Sequence, residues 1–245
     1  MQGLEYKKLV LPDFPKTAHL PIEPNADRTD KVASEEELQA LFSADIQNIT
    51  IEEKVDSANC GMTLLDGEPV IRNRNKILSK NYEGRKTPAK MQFSAIWTWF
   101  YENKDKFEDL KKILGFMPCV YGEWMYAQHT VQYENLPSWF IPFDVFDYER
   151  REYISPLIYR PALEKVGFTI VPKVDLNKVS RKTLIESRDM NSIFSPNHRR
   201  EGIYIKLCDG DKILSRYKMV RNGFIQGEHW NKTGLIKNKV EKVEK

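Results

Sequence analysis

Shortages of cysteine and of long apolar runs exclude several classes of protein. Of the 245 residues only 3 are cysteine, and Cys60, Cys119 and Cys208 show no C-x-x-C spacing. An odd number without that spacing argues against a disulfide framework or a structural zinc site, and it favours a reducing compartment. No apolar run approaches the ~20 residues that cross a bilayer, and the first residues lack the apolar core of a signal peptide. We therefore expect a cytoplasmic protein without a membrane partner.

A strong charge of one sign is also lacking. Lysine plus arginine number 38 and aspartate plus glutamate 35, which leaves a net charge of +3. So small an excess does not establish a nucleic-acid partner, because a local basic groove matters more than the sum. Hydrophobic residues make up 41% and charged residues 30%, an ordinary balance for a chain that buries a core. The length suits one large domain or two small ones.

The sequence does contain a mixture of strand and helix signals. The pairs Asp66-Gly67 and Asp209-Gly210 mark two hairpins, and Ser34 begins a capping box. Strands are expected at 48–54, 62–65, 69–74, 116–126, 140–146, 203–208 and 213–220, and helices at 35–42, 94–114, 156–166 and 180–189. Because the elements do not alternate as regular βαβ units, the pattern favours an α+β fold of packed antiparallel sheets.

The two ends of the chain carry weaker signals. Residues 11–30 are rich in proline and polar residues, and we expect them to form a loop that wraps on the domain. Residues 231–245 contain many lysines and few apolar side chains. The simpler interpretation is a frayed and solvated end, and the alternative is a functional tail.

Lys54 ends a β-rich run and is followed by Asp56, Ser57 and Asn59. A lysine that acts as a nucleophile must lose its proton, and its ordinary pKa of ~10.4 must be depressed by burial, neighbouring cations or a metal. A strand end that faces a cleft can supply that setting. Its neighbours alone favour a surface ion pair, so the case for a nucleophile depends on the rest of the chain.

Lys54 begins the first of six segments that follow one another along the chain. They are residues 54–57 (KVDS), 71–75 (IRNRN), 121–124 (YGEW), 140–147 (FIPFDVFD), 201–206 (EGIYIK) and 216–218 (RYK). In this order they resemble the motifs of the phage-type RNA ligase 2 family, which belongs with DNA ligases and capping enzymes to the covalent nucleotidyltransferases. Residues 16–21 (KTAHLP) and 128–137 (QHTVQYENLP) are also similar to that family. The resemblance covers roughly residues 5–225.

Two positions after the lysine bear on the branch of the superfamily. DNA ligases and capping enzymes usually carry an arginine five residues after the lysine, whereas this chain has Asn59, as the RNA ligase 2 family does. Ser57 stands where a glycine is usual. If that position required a positive φ, a serine there would be strained.

The resemblance implies an α+β nucleotidyltransferase (adenylation) domain, with antiparallel sheets flanked by helices. We expect this domain to occupy residues 1–225, with the loop and helix of residues 1–47 packed on it. Residues 226–245 are expected to form a basic C-terminal tail. Too few residues follow Lys218 for a C-terminal OB-fold, which needs roughly a hundred, so none is expected.

The resemblance also implies a reaction in three steps. Lys54 would attack the α-phosphate of ATP to form a lysyl-AMP, the AMP would pass to a 5′-phosphate on RNA, and a 3′-hydroxyl would then displace it. The cofactors implied are ATP and Mg²⁺ or Mn²⁺. The partners implied are RNA with 5′-phosphate and 3′-hydroxyl ends and a separate substrate-binding or end-healing protein.

The same motifs assign roles to particular side chains. Arg74 would contact a phosphate, Glu123 the ribose or a metal-bound water, and Phe143 would stack on adenine. Arg216 and Lys218 alternate along one strand, so both would face the α-phosphate. The nucleotide-binding residues implied are Glu53, Asn59, Arg74, Glu123, Phe143, Lys206, Arg216 and Lys218, and the metal ligands implied are Glu201 and Asp56.

Simpler interpretations exist for each of these residues and for the whole chain. Arg74 could be a surface arginine, Glu123 a strand-end acid in an ion pair, and Phe143 a core aromatic. The basic strand at 216–218 could be an edge charged against aggregation. The functional alternatives are a ligase that acts on DNA or hybrid nicks, and a degenerate nucleotidyltransferase domain that only binds RNA.

Overall fold

A computed structural model describes residues 2–22, 30–80, 91–224 and 234–241. Within these ranges the helices are α1 (Gln2–Val10), α2 (Glu35–Ser43), α3 (Ile96–Glu102), α4 (Lys104–Leu114), α5 (Pro156–Lys165) and α6 (Arg181–Arg188), with a 3₁₀ turn at Ile46–Asn48. None of the helices in these ranges has the length and apolar character needed to span a bilayer. All three cysteines are buried and unbridged.

The strands form two large sheets and one small hairpin. They are β1 (Ala18–His19), β2 (Ile49–Lys54), β3 (Ala58–Leu65), β4 (Glu68–Asn73), β5 (Pro118–Trp124), β6 (Phe140–Asp147), β7 (Glu152–Tyr153), β8 (Asn191–Ser192), β9 (Ser195–Arg199), β10 (Gly202–Asp209) and β11 (Lys212–Val220). The first sheet has the order β1-β11-β10-β2 and the second β4-β3-β5-β6-β7, while β8 pairs with β9. Every pair except the parallel β1–β11 is antiparallel, which confirms the predicted α+β class.

The loop predicted at residues 11–30 holds one short strand, because β1 pairs with β11. Residues 23–29 of that prediction lie outside the described ranges. The capping box predicted at Ser34 is present: its hydroxyl accepts from the Glu37 N–H, and the Glu37 carboxylate accepts from the Ser34 N–H. Both predicted hairpins form as expected.

The single helix predicted at 94–114 is wrong, because the chain forms two helices that meet at Asn103. The Asn103 side chain donates to the Trp99 carbonyl at 2.8 Å, and its φ of −114° departs from helical geometry. An asparagine amide competes in this way with the backbone for the carbonyls of the preceding turn. Apolar spacing alone does not reveal such a break. The helix end predicted at Gly115 is correct, since Gly115 adopts a left-handed φ of 77°.

Each large sheet has its own hydrophobic cluster. In the first sheet, Ile203 and Ile205 of β10 pack with Leu38 of α2 and Leu184 of α6. The cluster of the second sheet includes α3, α4 and α5, and contains buried aromatic rings such as Phe100, which stacks on Phe107 at 4.5 Å. Because side chains alternate along a strand, every second residue of β2, β10 and β11 points away from the first cluster and toward the second sheet.

Those alternate residues form a buried ionic network between the two sheets. Lys206 of β10 is fully buried, and its Nζ contacts the Glu52 carboxylate of β2 and the Asp144 carboxylate of β6, the latter at 3.1 Å. Arg160 of α5 binds Glu52 at 2.6 Å, and Arg216 of β11 binds Asp144 at 2.9 Å. Positive and negative charges are therefore nearly balanced within this buried ionic network, called the seam below, as the burial of ionised groups requires.

The tail does not follow the predicted frayed conformation over residues 234–241. Asn238 is 4% exposed, and isolated β-bridges join Lys237 to Ala127 and Val240 to Leu136. This part of the tail packs on the segment that follows β5. The remainder of the predicted tail, at 226–233 and 242–245, lies outside the described ranges.

Replacing Lys206 by methionine should cost stability, because it leaves Glu52 and Asp144 buried without their shared cation. Removing one partner of a buried ion pair costs about 3–5 kcal/mol. The matched change, Lys212→Met on the same hairpin, removes a half-exposed pair with Glu152 and should cost no more than about 1 kcal/mol. Urea unfolding of both variants measures the difference, and equal midpoints would show that the network does not hold the sheets together.

Candidate active site

Residues from both sheets line a cleft of about 670 Å³. The first sheet contributes Lys54, Tyr204 and Lys218, and the second contributes Asn59 and Glu123. Nine of the eleven residues assigned from the sequence line this cleft: Glu53, Lys54, Asp56, Asn59, Arg74, Glu123, Phe143, Glu201 and Lys218. Strand pairing brings together residues that are far apart in the chain.

Lys54 lies at the end of β2 with its amine directed at a carboxylate. Its Nζ is 2.6 Å from Glu201 Oε2, and the two side chains are 22% and 7% exposed. Burial lowers the pKa of Lys54, but the carboxylates of Glu201, Glu123 and Asp56 together outweigh it, so the pKa stands above its ordinary value. The free protein therefore keeps this lysine charged at neutral pH.

Two glycines allow the acids around Lys54 to lie where they do. Gly202 pairs with Lys54 and with Val220, and a Cβ on Gly202 would lie 1.9 Å from the Met219 carbonyl oxygen. Gly122 is equally confined, since a Cβ there would lie 2.5 Å from a backbone oxygen of β6. The close strand contacts that these glycines permit fix the adjacent residues, Glu201 and Glu123, at the cleft.

The three acids of the cleft differ in their surroundings. Burial raises the pKa of Glu201 above its ordinary value, although Lys54 acts against this. Burial raises the pKa of Glu123 further, and its Oε2 is buried without a hydrogen-bond partner.

No group of three or more His, Cys, Asp or Glu within the described ranges is already arranged to hold a metal ion. The oxygen donors nevertheless fit Mg²⁺ or Mn²⁺, which take few protein carboxylates and complete their shell with water and phosphate.

Asp56 is held by the segment that follows β5. Its Oδ2 accepts hydrogen bonds from the N–H groups of Thr130 at 2.7 Å and Val131 at 2.8 Å. The Asp56 N–H donates to the hydroxyl of Tyr133 at 2.9 Å, and His129 Nδ1 lies 4.0 Å from Oδ1. One carboxylate oxygen is thus engaged by the backbone, and Oδ1 is the oxygen that remains for a ligand of the cleft.

Ser57 is accommodated without strain. Among the described residues, only Asp66 and Arg151 adopt a positive φ without being glycine. The Ser57 hydroxyl donates to the Trp124 carbonyl at 2.6 Å, a bond that a glycine cannot make. Ser57 therefore does not carry the strain that a positive φ would impose on a serine.

Aromatic side chains form one wall of the cleft. Phe143 is 9% exposed, and the ring of Phe14 meets it edge-on at 5.2 Å. Phe14 and Thr17 belong to the N-terminal segment, and the Thr17 hydroxyl bonds to that of Tyr204. Sequence reasoning missed Phe14 because it lies outside every motif; the neighbouring resemblance at 16–21 was the available signal.

Cations stand at two places around the cleft. Lys218 lies 3.6 Å from Asp30, and its pKa is lowered by burial and by the nearby charge of Lys54, with Asp30 acting in the opposite direction. Arg74 follows directly after β4 and is exposed at the rim. Its neighbour Arg72 is buried and ion-paired with Asp13. Arg74 can therefore move toward a ligand, whereas Arg72 is fixed.

Lys206 and Arg216 are not among the residues that line the cleft, and their predicted contact with the nucleotide stays a prediction. Lys206 is fully buried in the ionic network, where it also donates to the Tyr159 hydroxyl at 2.8 Å and to the Phe143 carbonyl. Arg216 lies over the ring of Tyr153 at 3.9 Å and binds Asp144. Alternation does place Arg216 and Lys218 on one strand face, but the cleft extends only to Lys218.

Glu53 occupies the opposite strand face from Lys54 yet reaches the cleft wall. Its Oε2 accepts from the Ile193 N–H at 3.0 Å, and its Oε1 is buried without a hydrogen-bond partner. Burial raises the pKa of this carboxyl, with the hydrogen bonds of Ser192 and Ile193 acting against it. The unpartnered oxygen marks an acceptor that a ligand can satisfy.

Comparison with solved structures identifies the fold. An RNA ligase of Naegleria gruberi, solved as a mutant with ATP and Mn, matches with a TM-score of 0.58 and 18% identity, over 88% of this chain and 59% of that one. The same ligase with PPi matches with a TM-score of 0.57 and 18% identity, over 88% and 60%. A mutant with AMP and Mn matches with a TM-score of 0.55 and 17% identity, over 88% and 59%. The chain thus spans about three fifths of the length of these ligases.

No curated protein sequence matches this chain. The model of the family described as RNA ligase matches residues 47–220, which include all six segments from Lys54 to Lys218. Because that match covers well over half of the sequence, the chain belongs to the RNA ligase family.

Proposed function

We propose that this chain is the catalytic domain of an ATP-dependent RNA ligase that joins 5′-phosphate and 3′-hydroxyl ends through a lysyl-AMP. The observation that carries the proposal is the position of Lys54, whose amine points into a cleft and lies within 2.6 Å of Glu201. The Naegleria ligase was solved with ATP, AMP and PPi. ATP and PPi are the substrate and product expected of an adenylation step, and AMP is the group displaced when the ends are joined.

In the first step Lys54 loses its proton to solvent, and its neutral nitrogen forms a bond to the α-phosphorus of ATP while the bond from that phosphorus to the departing pyrophosphate breaks. Phe143 stacks on the adenine, and the unpartnered Oε1 of Glu53 accepts from its amino group. Asn59 and Glu123, which pair across β3 and β5, contact the ribose. Phosphoryl transfer depends chiefly on such positioning and on charge neutralisation.

Charge neutralisation comes from both sides of the α-phosphate. Lys218 lies within the first sheet close enough to Lys54 for their charges to interact, and it contacts the α-phosphate oxygens. Glu201 and Asp56 are the residues that would hold a divalent cation. When bound, the cation supplies positive charge to the carboxylates and phosphates alike, which reduces the hold of the acids on the Lys54 proton.

The later steps need RNA at the rim of the cleft. Arg74, exposed beside the cleft mouth, binds the 5′-phosphate that receives AMP. The 3′-hydroxyl then attacks that phosphate and displaces AMP. We also propose that a separate substrate-binding or end-healing protein presents the ends.

Of the alternatives, the degenerate RNA-binding domain loses its support. It was favoured by Ser57 alone, and Ser57 lies in ordinary backbone geometry with its hydroxyl bonded to Trp124. A domain that only binds RNA also has no need of a partly buried lysine facing three acids. Action on DNA or hybrid nicks stays as the second candidate, because the rim residues contact phosphate and do not read the sugar.

The lysyl-AMP is tested by mass spectrometry of the intact protein after incubation with ATP and Mg²⁺ or Mn²⁺. We expect an increment of one AMP on the wild-type chain and none on Lys54→Ala. Lys112→Ala, a change at an exposed residue of α4, should accept AMP as the wild type does. Absence of the adduct from the wild type with every divalent metal would show that the chain is not a nucleotidyltransferase.

The acceptor is tested with labelled nicks that differ only in sugar. We expect sealing when RNA provides the 3′-hydroxyl end and little product when DNA does; the expectation rests on membership of the RNA ligase family and not on the rim contacts. Because the contacts at the rim are to phosphate, the rate should fall steeply with salt. Equal sealing of both nicks would favour the DNA or hybrid ligase instead.

Replacing Glu201 by glutamine should lower the pKa of Lys54. The change removes the charge that raises this pKa most, while burial, which lowers it, stays. The pH at which Lys54 becomes reactive toward an amine-selective reagent, followed by peptide mass spectrometry, should therefore shift downward. Glu164→Gln, at an exposed position of α5, should leave that pH unchanged. An upward shift in Glu201→Gln would contradict the assigned electrostatics.

A further inference from the structure

We propose that residues 234–241 act as a strap that positions Asp56 in the cleft, with Asn238 as the positioning residue. The C-terminal strap is defined as residues 234–241, and the Asp56 loop as residues 125–136. The catalytic part of this inference rests on the proposed ligase function; the structural part does not.

Asn238 joins the strap to the loop through its side chain. It is 4% exposed. Its Nδ2 donates to the carbonyls of Met125 at 2.8 Å and Ala127 at 3.2 Å, and its Oδ1 accepts from the Tyr133 N–H at 3.1 Å. The Asn238 amide thus joins the start of the loop, at Met125 and Ala127, to Tyr133 near its end.

The strap backbone adds a row of hydrogen bonds to the same loop. The Gln128 N–H donates to the Ile236 carbonyl at 2.8 Å, and the Asn238 N–H to the Tyr126 carbonyl at 3.2 Å. Further along, the Leu136 N–H donates to the Lys239 carbonyl at 3.0 Å. The Lys239 N–H donates to the Tyr133 carbonyl at 3.1 Å, and the Glu241 N–H donates to the Leu136 carbonyl at 2.9 Å. Backbone groups that would otherwise need water are satisfied by the strap.

The loop in turn holds Asp56 from two sides. The N–H groups of Thr130 and Val131 bind its Oδ2, and the Tyr133 hydroxyl accepts its backbone N–H. Tyr133 is fully buried, and its own N–H is the group that Asn238 accepts from. The path from Asn238 to Asp56 therefore passes through a single residue.

These contacts would affect the proposed adenylation because Asp56 is two residues from Lys54 and is a proposed metal ligand. The loop has no helix and little regular strand of its own, so its conformation depends on its partners. Loss of an outer partner of a metal ligand typically costs 10–100-fold in metal affinity or activity. We expect the half-saturating Mn²⁺ concentration for adenylation to rise by about that factor without the strap.

The experiment compares Asn238→Ala with Lys239→Ala, a neighbouring change at an exposed side chain of the same strap. Single-turnover adenylation is followed against Mn²⁺ and against ATP. For Asn238→Ala we expect a higher Mn²⁺ requirement and a lower maximal rate with little change in the KM for ATP, since Phe143 and Glu53 do not touch the strap. Lys239→Ala should match the wild type in all three values.

A second measurement does not depend on activity. Hydrogen–deuterium exchange in Asn238→Ala should quicken at the amides of Asp56, Thr130 and Val131, while β10 and β11 keep their protection. If Asn238→Ala does not fold, Tyr133→Phe tests the same path, because it removes only the hydroxyl that accepts from Asp56; the same pattern is expected.

The outcomes separate the two proposals. No AMP adduct on the wild type overturns the ligase function, and amide exchange then decides the strap alone. An adduct on the wild type together with equal Mn²⁺ dependence in Asn238→Ala and Lys239→Ala overturns the positioning role. A uniform loss of protection across both sheets also overturns it, because Asn238 would then serve general stability.

Discussion

The buried network around Lys206 is the interaction on which the active site depends. It ties β2, β10 and β11 of the first sheet to β6 and α5 next to the second. Glu52, one of its acids, is two residues before Lys54, and the Lys206 amine also holds the carbonyl of Phe143. The ionic network thus sets Lys54 and the aromatic wall at a fixed separation. In the cleft beyond it, Glu53 Oε1 and Glu123 Oε2 are incompletely satisfied.

That incomplete satisfaction explains the electrostatics of the cleft. Inside the seam, cations and carboxylates nearly balance, whereas around Lys54 three acids face one lysine and Lys218. The unpartnered oxygens of Glu53 and Glu123 lie in the same region. A protein tolerates such groups where a ligand completes them. The free domain therefore presents acceptor oxygens that a ligand of the cleft can satisfy.

Local sequence patterns predicted the hairpins, the capping box and the order of motifs, because turns, caps and alternation are determined by near neighbours. The same patterns did not reveal that Lys206 and Arg216 lie in the ionic network beside the cleft, since a motif specifies a strand face but not how far a cleft extends over it. The break at Asn103 arose from a side chain bonding to a carbonyl of the preceding turn. Polar composition concealed the strap, because Asn238 is buried through backbone contacts that leave no apolar signature.

The pairing of β2 with β10 also has a consequence for biosynthesis. Lys54 and Glu201 are separated by 147 positions in the chain, so the strand that bears Lys54 leaves the ribosome long before its partner. Until then β2 has no neighbour on that side, and closing so long a loop is slow compared with forming a helix or a hairpin. A nascent chain therefore cannot assemble this cleft until β10, and with it Glu201, has emerged from the ribosome.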